Sequence, residues 1–276
     1  MIAHAAPRPP LTTGWEADLD PADTVARRFL LNLADSHASV AVANGGWVHR
    51  HDAVSIATSD RPASYFNAAV LLQPPGEDWD ALLACVDGVF GRSRRPADAY
   101  LWSLWPTPDL RERGWVLEGH PPLLVRPPGG PTPPATEALE LRRVTDTAAL
   151  ADWERVAIEG YPMPGLDPAR PGALLDPTLL GDDRWRLWVG YQDGAPVAIG
   201  TQFTAHGFAQ YALGVTLPAA RGRGHWSAMV RARMLAEPDL VSGGVFSDMS
   251  RPGMERLGYL PVLRLTLWRR PAFPTP

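Results

Sequence analysis

"LGVTLPAARGRGHWSAMVRARM", residues 213–234, decides how the chain folds. It begins as a strand interrupted at Leu213, Gly214 and Val215. It then passes through the loop Arg221, Gly222, Arg223, Gly224 and enters an amphipathic helix over 224–236. A glycine-rich turn running into a helix N-terminus points several backbone N–H groups at one place and adds the favourable end of the helix dipole, which suits a diphosphate. Gly222 and Gly224 supply positive φ and close approach, while Arg221 and Arg223 supply charge that can face phosphates. His225 and Ser227 stand beside the loop as further donors. Trp226 occupies a place where a small residue would be expected. Turned away from the loop it packs on the neighbouring sheet and leaves the N–H groups open; turned inward it fills the site.

Working outward, "FAQYALGVTLP" is the strand that feeds this loop, and "GGVFSDM", the short helix "RPGMERLGY" and a final strand "LPVLRLTLWRR" follow it. Upstream, "ALELRRVTD" alternates like a strand, and a helix capped by Asp146 or Thr147 stops near Gly160. A Pro-rich loop over 162–177 leads to two strands joined by the turn pair Asp193 and Gly194. The segment "RPPGGPTPPATEA", residues 126–138, is too rich in Pro and Gly for an element interior and reads as an exposed connector. The first half repeats the order more faintly. Placing "RERGW" over "ERLGY" aligns Gly114 with Gly258 and brings the closing strands into register at an offset of 144 residues. The expected division is therefore 1–127, a connector at 128–137, and 138–276.

A chain of 276 residues accommodates two domains with cores of their own. With 45% hydrophobic and 20% charged residues it is globular in composition, and a net charge of −4 without a basic stripe argues against nucleic acid or an anionic membrane surface as partner. The single Cys85 cannot form an internal disulfide, and the N-terminus lacks the charged start and apolar run of an export signal, so a cytoplasmic place is expected. All 26 basic residues are Arg, which excludes lysine-based mechanisms. His49 and His51 share a strand face but have no Cys or acidic partner at ligand spacing, so no metal is expected.

"GVTLPAARGRGHWSAMV" resembles the acyl-CoA loop of the GNAT N-acetyltransferase superfamily, whose motif is RxxGxG/A between the fourth strand and third helix; Arg221 and Gly224 match its first fixed positions. "SDMSRPGMERLGYLPV" resembles that family's closing segment, a short helix ending in a Leu-Gly-aromatic turn. The resemblance spans about residues 138–270. It implies an α/β fold of two tandem GNAT-like domains, each a mixed, mostly antiparallel sheet flanked by helices, the first copy degenerate because nothing like RGRG follows its third strand. It also implies an acyl-CoA co-substrate, acetyl-CoA foremost, and a small-molecule amine acceptor, with a homodimer left open. Backbone N–H groups around Leu213 to Val215 would stabilise the oxyanion as the amine attacks the thioester. Glu159 and Asp248 are candidate bases, against their readings as a solvated helix-end carboxylate and a helix cap. Tyr211 and Tyr161 are candidate donor or wall residues, and each is also a natural core residue. The family's tyrosine acid corresponds to Met254, which has no proton to give. Trp185, Trp188 and Trp268 read as sheet packing. The rival function is a non-catalytic acyl-CoA or metabolite sensor, and a third is transfer of a larger or unusual acyl group in secondary metabolism.

Overall fold

The computed structural model describes residues 24–51, 53–93, 97–132, 134, 139–161, 163, 166 and 169–272; parts of the expected connector at 128–137 and of the Pro-rich loop at 162–177 lie outside them. The first half opens with α1 (Val25–Ala43), begun by Thr24, whose hydroxyl accepts from the Arg27 amide. There follow β1 (Trp47–His51), β2 (Val54–Thr58), β3 (Ala68–Leu71), α2 (Trp79–Phe90), β4 (Ala99–Ser103), β5 (Val116–Gly119) and β6 (Pro122–Arg126). The second half holds β7 (Glu140–Arg143), α3 (Thr147–Gly160), β8 (Trp185–Gln192), β9 (Ala195–Ala205), β10 (Phe208–Thr216) and α4 (His225–Ala236), then β11 (Val241–Val245), α5 (Arg251–Arg256), β12 (Leu260–Arg264) and β13 (Thr266–Arg270). Asp146, not Thr147, caps α3, accepting from the Ala149 amide. The turn between β8 and β9 places Asp193 at φ 52° and Gly194 at φ 78°, the left-handed pair that a tight hairpin requires.

Two mixed, mostly antiparallel sheets result, ordered β1-β2-β3-β4-β13-β5 and β12-β6-β11-β10-β9-β8-β7. Each contains one parallel pair, β3–β4 and β10–β11, and in each that pair is joined through one helix, α2 or α4. The internal repeat is visible in the backbone. Gly114 and Gly258 end their short helices at φ 80° and 86°, and the aromatic residues that follow, Trp115 and Tyr259, are buried to 2% and 1% exposure.

The closing strands depart from the sequence expectation. "LPVLRLTLWRR" is not one strand: the chain breaks at fully buried Leu265, whose amide donates to the Pro121 carbonyl at 3.0 Å, and β12 and β13 enter different sheets. β13 inserts between β4 and β5, pairing Trp268 with Leu101 and Leu117, while β6 inserts between β11 and β12, pairing Val125 with Gly243 and Leu260. Each half thus lends its last strand to the other, and the sheets do not divide where the sequence does. Helix α1 seals the junction: Phe29, Leu30 and Leu33 pack with Phe208, Leu123 and Val125. The Asn32 amide donates to the carbonyls of Ala205 and Phe208, tying α1 to the β9–β10 turn.

Helices α3 and α4 cover opposite faces of the second sheet, as strand alternation dictates. Ile199 and Phe203 pack with Trp153, Val156 and Ala157 of α3, whereas Ala198 packs with Ala228 and Met229 of α4. Among the described residues no helix is long and apolar enough to cross a membrane.

Candidate functional site

Strand β10 is irregular where the sequence placed its glycine. Pairing with β9 runs to Ala212–Thr201 and resumes at Val215–Ile199, so Leu213 and Gly214 fall out of the ladder, with Leu213 held at φ 37°. Pairing with β11 stops at Gln210–Gly243. Beyond that point β10 and β11 part, and the gap opens onto a cavity of about 1220 Å³. At the end of β10 the loop turns through Gly222 at φ 78° and Gly224 at φ 81° into α4. Gly224 is the N-cap and offers no side-chain acceptor, so the first-turn amides of His225, Trp226 and Ser227 are not capped by a side chain. The Arg221 Nε donates to the Thr216 carbonyl at 3.1 Å, and its guanidinium lines the cavity.

The cavity is shared by both halves. Ser64, Tyr65, Tyr100 and Trp102 come from the first half, and Tyr161, Tyr211, Leu213, Val215, Trp226 and Arg233 from the second. The first half is therefore a wall of the site. Tyr161 donates to the Gly214 carbonyl at 2.9 Å and so pins the bulge from the α3 side. Tyr211 is buried, and desolvation raises its hydroxyl above the ordinary range against the opposing hydroxyls of Ser242 and Tyr259. Gln210 Oε1 and Thr216 Oγ1, on residues that line the cavity, are buried without side-chain hydrogen-bond partners.

Trp226 is partly buried at the start of α4. Its indole turns toward α5, where a Cβ on Gly253 would come within 2.9 Å of it, and packs beside Tyr211, Met254 and Tyr259. It walls the cavity without closing it.

Both candidate bases lie elsewhere. Glu159 is exposed on α3 beside Arg155 at 3.4 Å, because its helix position faces solvent. Asp248 is exposed, held 2.9 Å from Arg264, which keeps its carboxyl below the usual range. It does not cap α5 either, since the N-cap of that helix is Ser250 and no side chain caps it. Neither lines the cavity, and among its described lining residues none is Asp, Glu or His. The His225 ring is also corrected: it is buried under the loop with Nε2 2.9 Å from Gln192 Oε1, leaving only its amide beside the loop. Met254 is fully buried in the core beneath α5. Gly222, Arg223 and Gly224 are exposed on the loop, and Ser227 is half-buried in the first turn. His49 and His51 lie on the exposed strand β1.

Two residues went unread in the sequence. Glu154, buried to 1%, accepts from the amides of Gly172, Leu174 and Leu175 and fixes the end of the loop after α3. Arg233, buried to 2%, lines the cavity from α4 with its guanidinium carbon 4.6 Å from the Tyr211 ring. The signal for Arg233 was present: Trp226, Met229, Val230, Arg233 and Met234 form one helical stripe, with a cation at a core position.

No protein-family model matches the sequence, and no curated protein matches it significantly. Solved structures do match over nearly the whole chain. A GCN5-related N-acetyltransferase from Kribbella flavida superposes with TM-score 0.64 at 19% identity, covering 90% of this chain and 96% of its own. A conserved protein of unknown function from Staphylococcus epidermidis gives 0.58 at 12% identity, covering 82% and 93%. A GCN5-related N-acetyltransferase from Sphaerobacter thermophilus gives 0.50 at 13% identity, covering 90% and 95%. These likenesses extend across both halves of the chain and are likenesses of fold.

Proposed function

We propose that this chain, which has the tandem GNAT fold, is an acyl-CoA-dependent N-acyltransferase acting on a small-molecule amine, with acetyl-CoA as the simplest donor. One observation carries the reading: a positive-φ loop delivers uncapped amides at the start of α4 beside a cavity that opens where β10 leaves β11. In this reading the amides of residues 223–227, with Arg221, hold the diphosphate. The bulge in β10, where Leu213 and Gly214 leave the ladder with β9, would supply backbone N–H groups to the thioester oxygen.

The amine approaches from the α3 side, past Tyr161 and Tyr65. Its nitrogen bonds to the thioester carbon, the C–S bond breaks, and CoA leaves as thiolate. A thiolate, with a conjugate pKa of about 8.5, leaves without concerted protonation and takes its proton from water, which fits an absent acid at Met254. With no carboxylate or imidazole in the described wall, the acceptor enters as the neutral amine and gives up its second proton to water.

Thiol release from acetyl-CoA across a panel of amines, combined with calorimetric titration of CoA, tests the proposal. Turnover with at least one amine supports it, and absence of CoA binding overturns it. The lack of a base in the described wall favours one second reading, a non-catalytic acyl-CoA sensor, which tight CoA binding without turnover for any amine would support.

A further inference from the structure

We infer that the cavity recognises an acyl group ending in a carboxylate, which Arg233 on α4 binds. The inference rests on the acyl-CoA reading of the site and names the donor class. Arg233 is 2% exposed, yet the ionisable groups acting on it are Tyr211, Tyr259 and Tyr161, with no acid among them. Its Nε donates to the Met229 carbonyl one turn back at 3.3 Å, while Nη1 and Nη2 lie at 3.3 and 3.4 Å from the point where a Gly214 side chain would begin. The fork of the guanidinium therefore sits against the β10 bulge and borders the cavity. Desolvation depresses its proton affinity, the mark of a buried cation not neutralised by the protein.

Burying a guanidinium without a counter-charge is costly, and a planar carboxylate is the ligand its fork geometry matches best. The Tyr211 ring, 4.6 Å from the guanidinium carbon, borders the same cavity and holds the fork from one face, leaving its edge for the ligand. Arg233 belongs to the helix whose N-terminus is assigned the diphosphate, and α4 covers the sheet face opposite α3, where the amine would enter. This placement assigns the anion to the acyl donor rather than to the acceptor.

The test is calorimetric titration of the whole protein with succinyl-CoA, with butyryl-CoA, which has the same carbon count and no charge, and with CoA. Succinyl-CoA should bind about tenfold or more tightly over butyryl-CoA, as a charge-assisted pair in a desolvated site requires. In Arg233→Met that preference should vanish. Equal affinities of the wild-type protein for the two thioesters, with CoA binding retained, would overturn the inference and leave the acyl-CoA reading standing. Failure of every CoA compound to bind would remove both. A preference for carboxylated amines in turnover with no preference between the thioesters would place the anion on the acceptor and overturn the inference as stated. The wild-type comparison decides the matter even if Arg233→Met does not fold.

Discussion

Ser227 is the third residue of α4, half-buried beside amides that no side chain caps. A carboxylate placed there meets the positive end of the helix, worth about 0.3–1 kcal/mol. Ser227→Asp should therefore raise the melting temperature slightly while weakening CoA binding about tenfold or more by charge repulsion. Loss of stability with unchanged CoA affinity would contradict the assignment of the loop. Glu159 and Asp248, both outside the cavity, make the opposite prediction: Glu159→Gln and Asp248→Asn should each keep kcat within about twofold, as surface changes do. With no titrating carboxylate or imidazole in the described wall, log(kcat/KM) should climb with pH at unit slope and level off at the acceptor amine's own pKa. A second inflection near the pKa of a carboxylate or histidine would reveal a base outside that wall. At this scale the loop glycines were readable because positive φ leaves few other residues, whereas the bases were not, since their direction on a helix or loop depends on what packs around them.

Among the elements, α1 carries a titratable group in the junction between the halves. His37 is buried, its ring 5.8 Å from Tyr65, and desolvation lowers its pKa from 6.5 to about 4 against the opposing hydrogen bond to Phe66. The fold thus favours the neutral ring. Its contribution is fully present above the ordinary value of 6.5 and is lost as pH falls from there toward 4, amounting to about 3 kcal/mol over that window. Urea titrations at pH 7 and pH 4.5 should show the loss in the wild-type protein and a flatter profile in His37→Gln. Equal slopes with pH in the two would show that other groups govern acid unfolding. Element positions were legible wherever period and punctuation agreed, as with the Asp193–Gly194 hairpin and the helix begun at Asp146. The break at Leu265 was not, because an apolar run with no Gly or Pro inside it gives no sign of a change of sheet.

At the scale of the whole molecule, β6 and β13 are interior strands, each next to an edge strand, of sheets built mainly by the other half. A fragment of residues 138–276 would lack β6 and leave β11 and β12 with unpaired facing edges. It should fail to give a cooperative unfolding transition, while the entire chain should melt as one unit with calorimetric and van't Hoff enthalpies in agreement. Two well-separated melting transitions in the whole protein would argue that each half stands by itself. The repeat was legible at the Gly114 and Gly258 turns, but alignment reports which strands correspond, not which sheet each one joins.

The reciprocal loan of strands also sets a schedule for the nascent polypeptide. Trp268 of β13 reaches Thr107 across 161 residues of chain. At a synthesis rate of about 5–20 residues per second, β4 would wait on the order of ten seconds or more on the ribosome for its neighbour. Throughout that interval its backbone is an unsatisfied template for any passing strand. Translation of the second half is thus a vulnerable period for the first, and shielding by a ribosome-associated chaperone should improve the yield of folded protein.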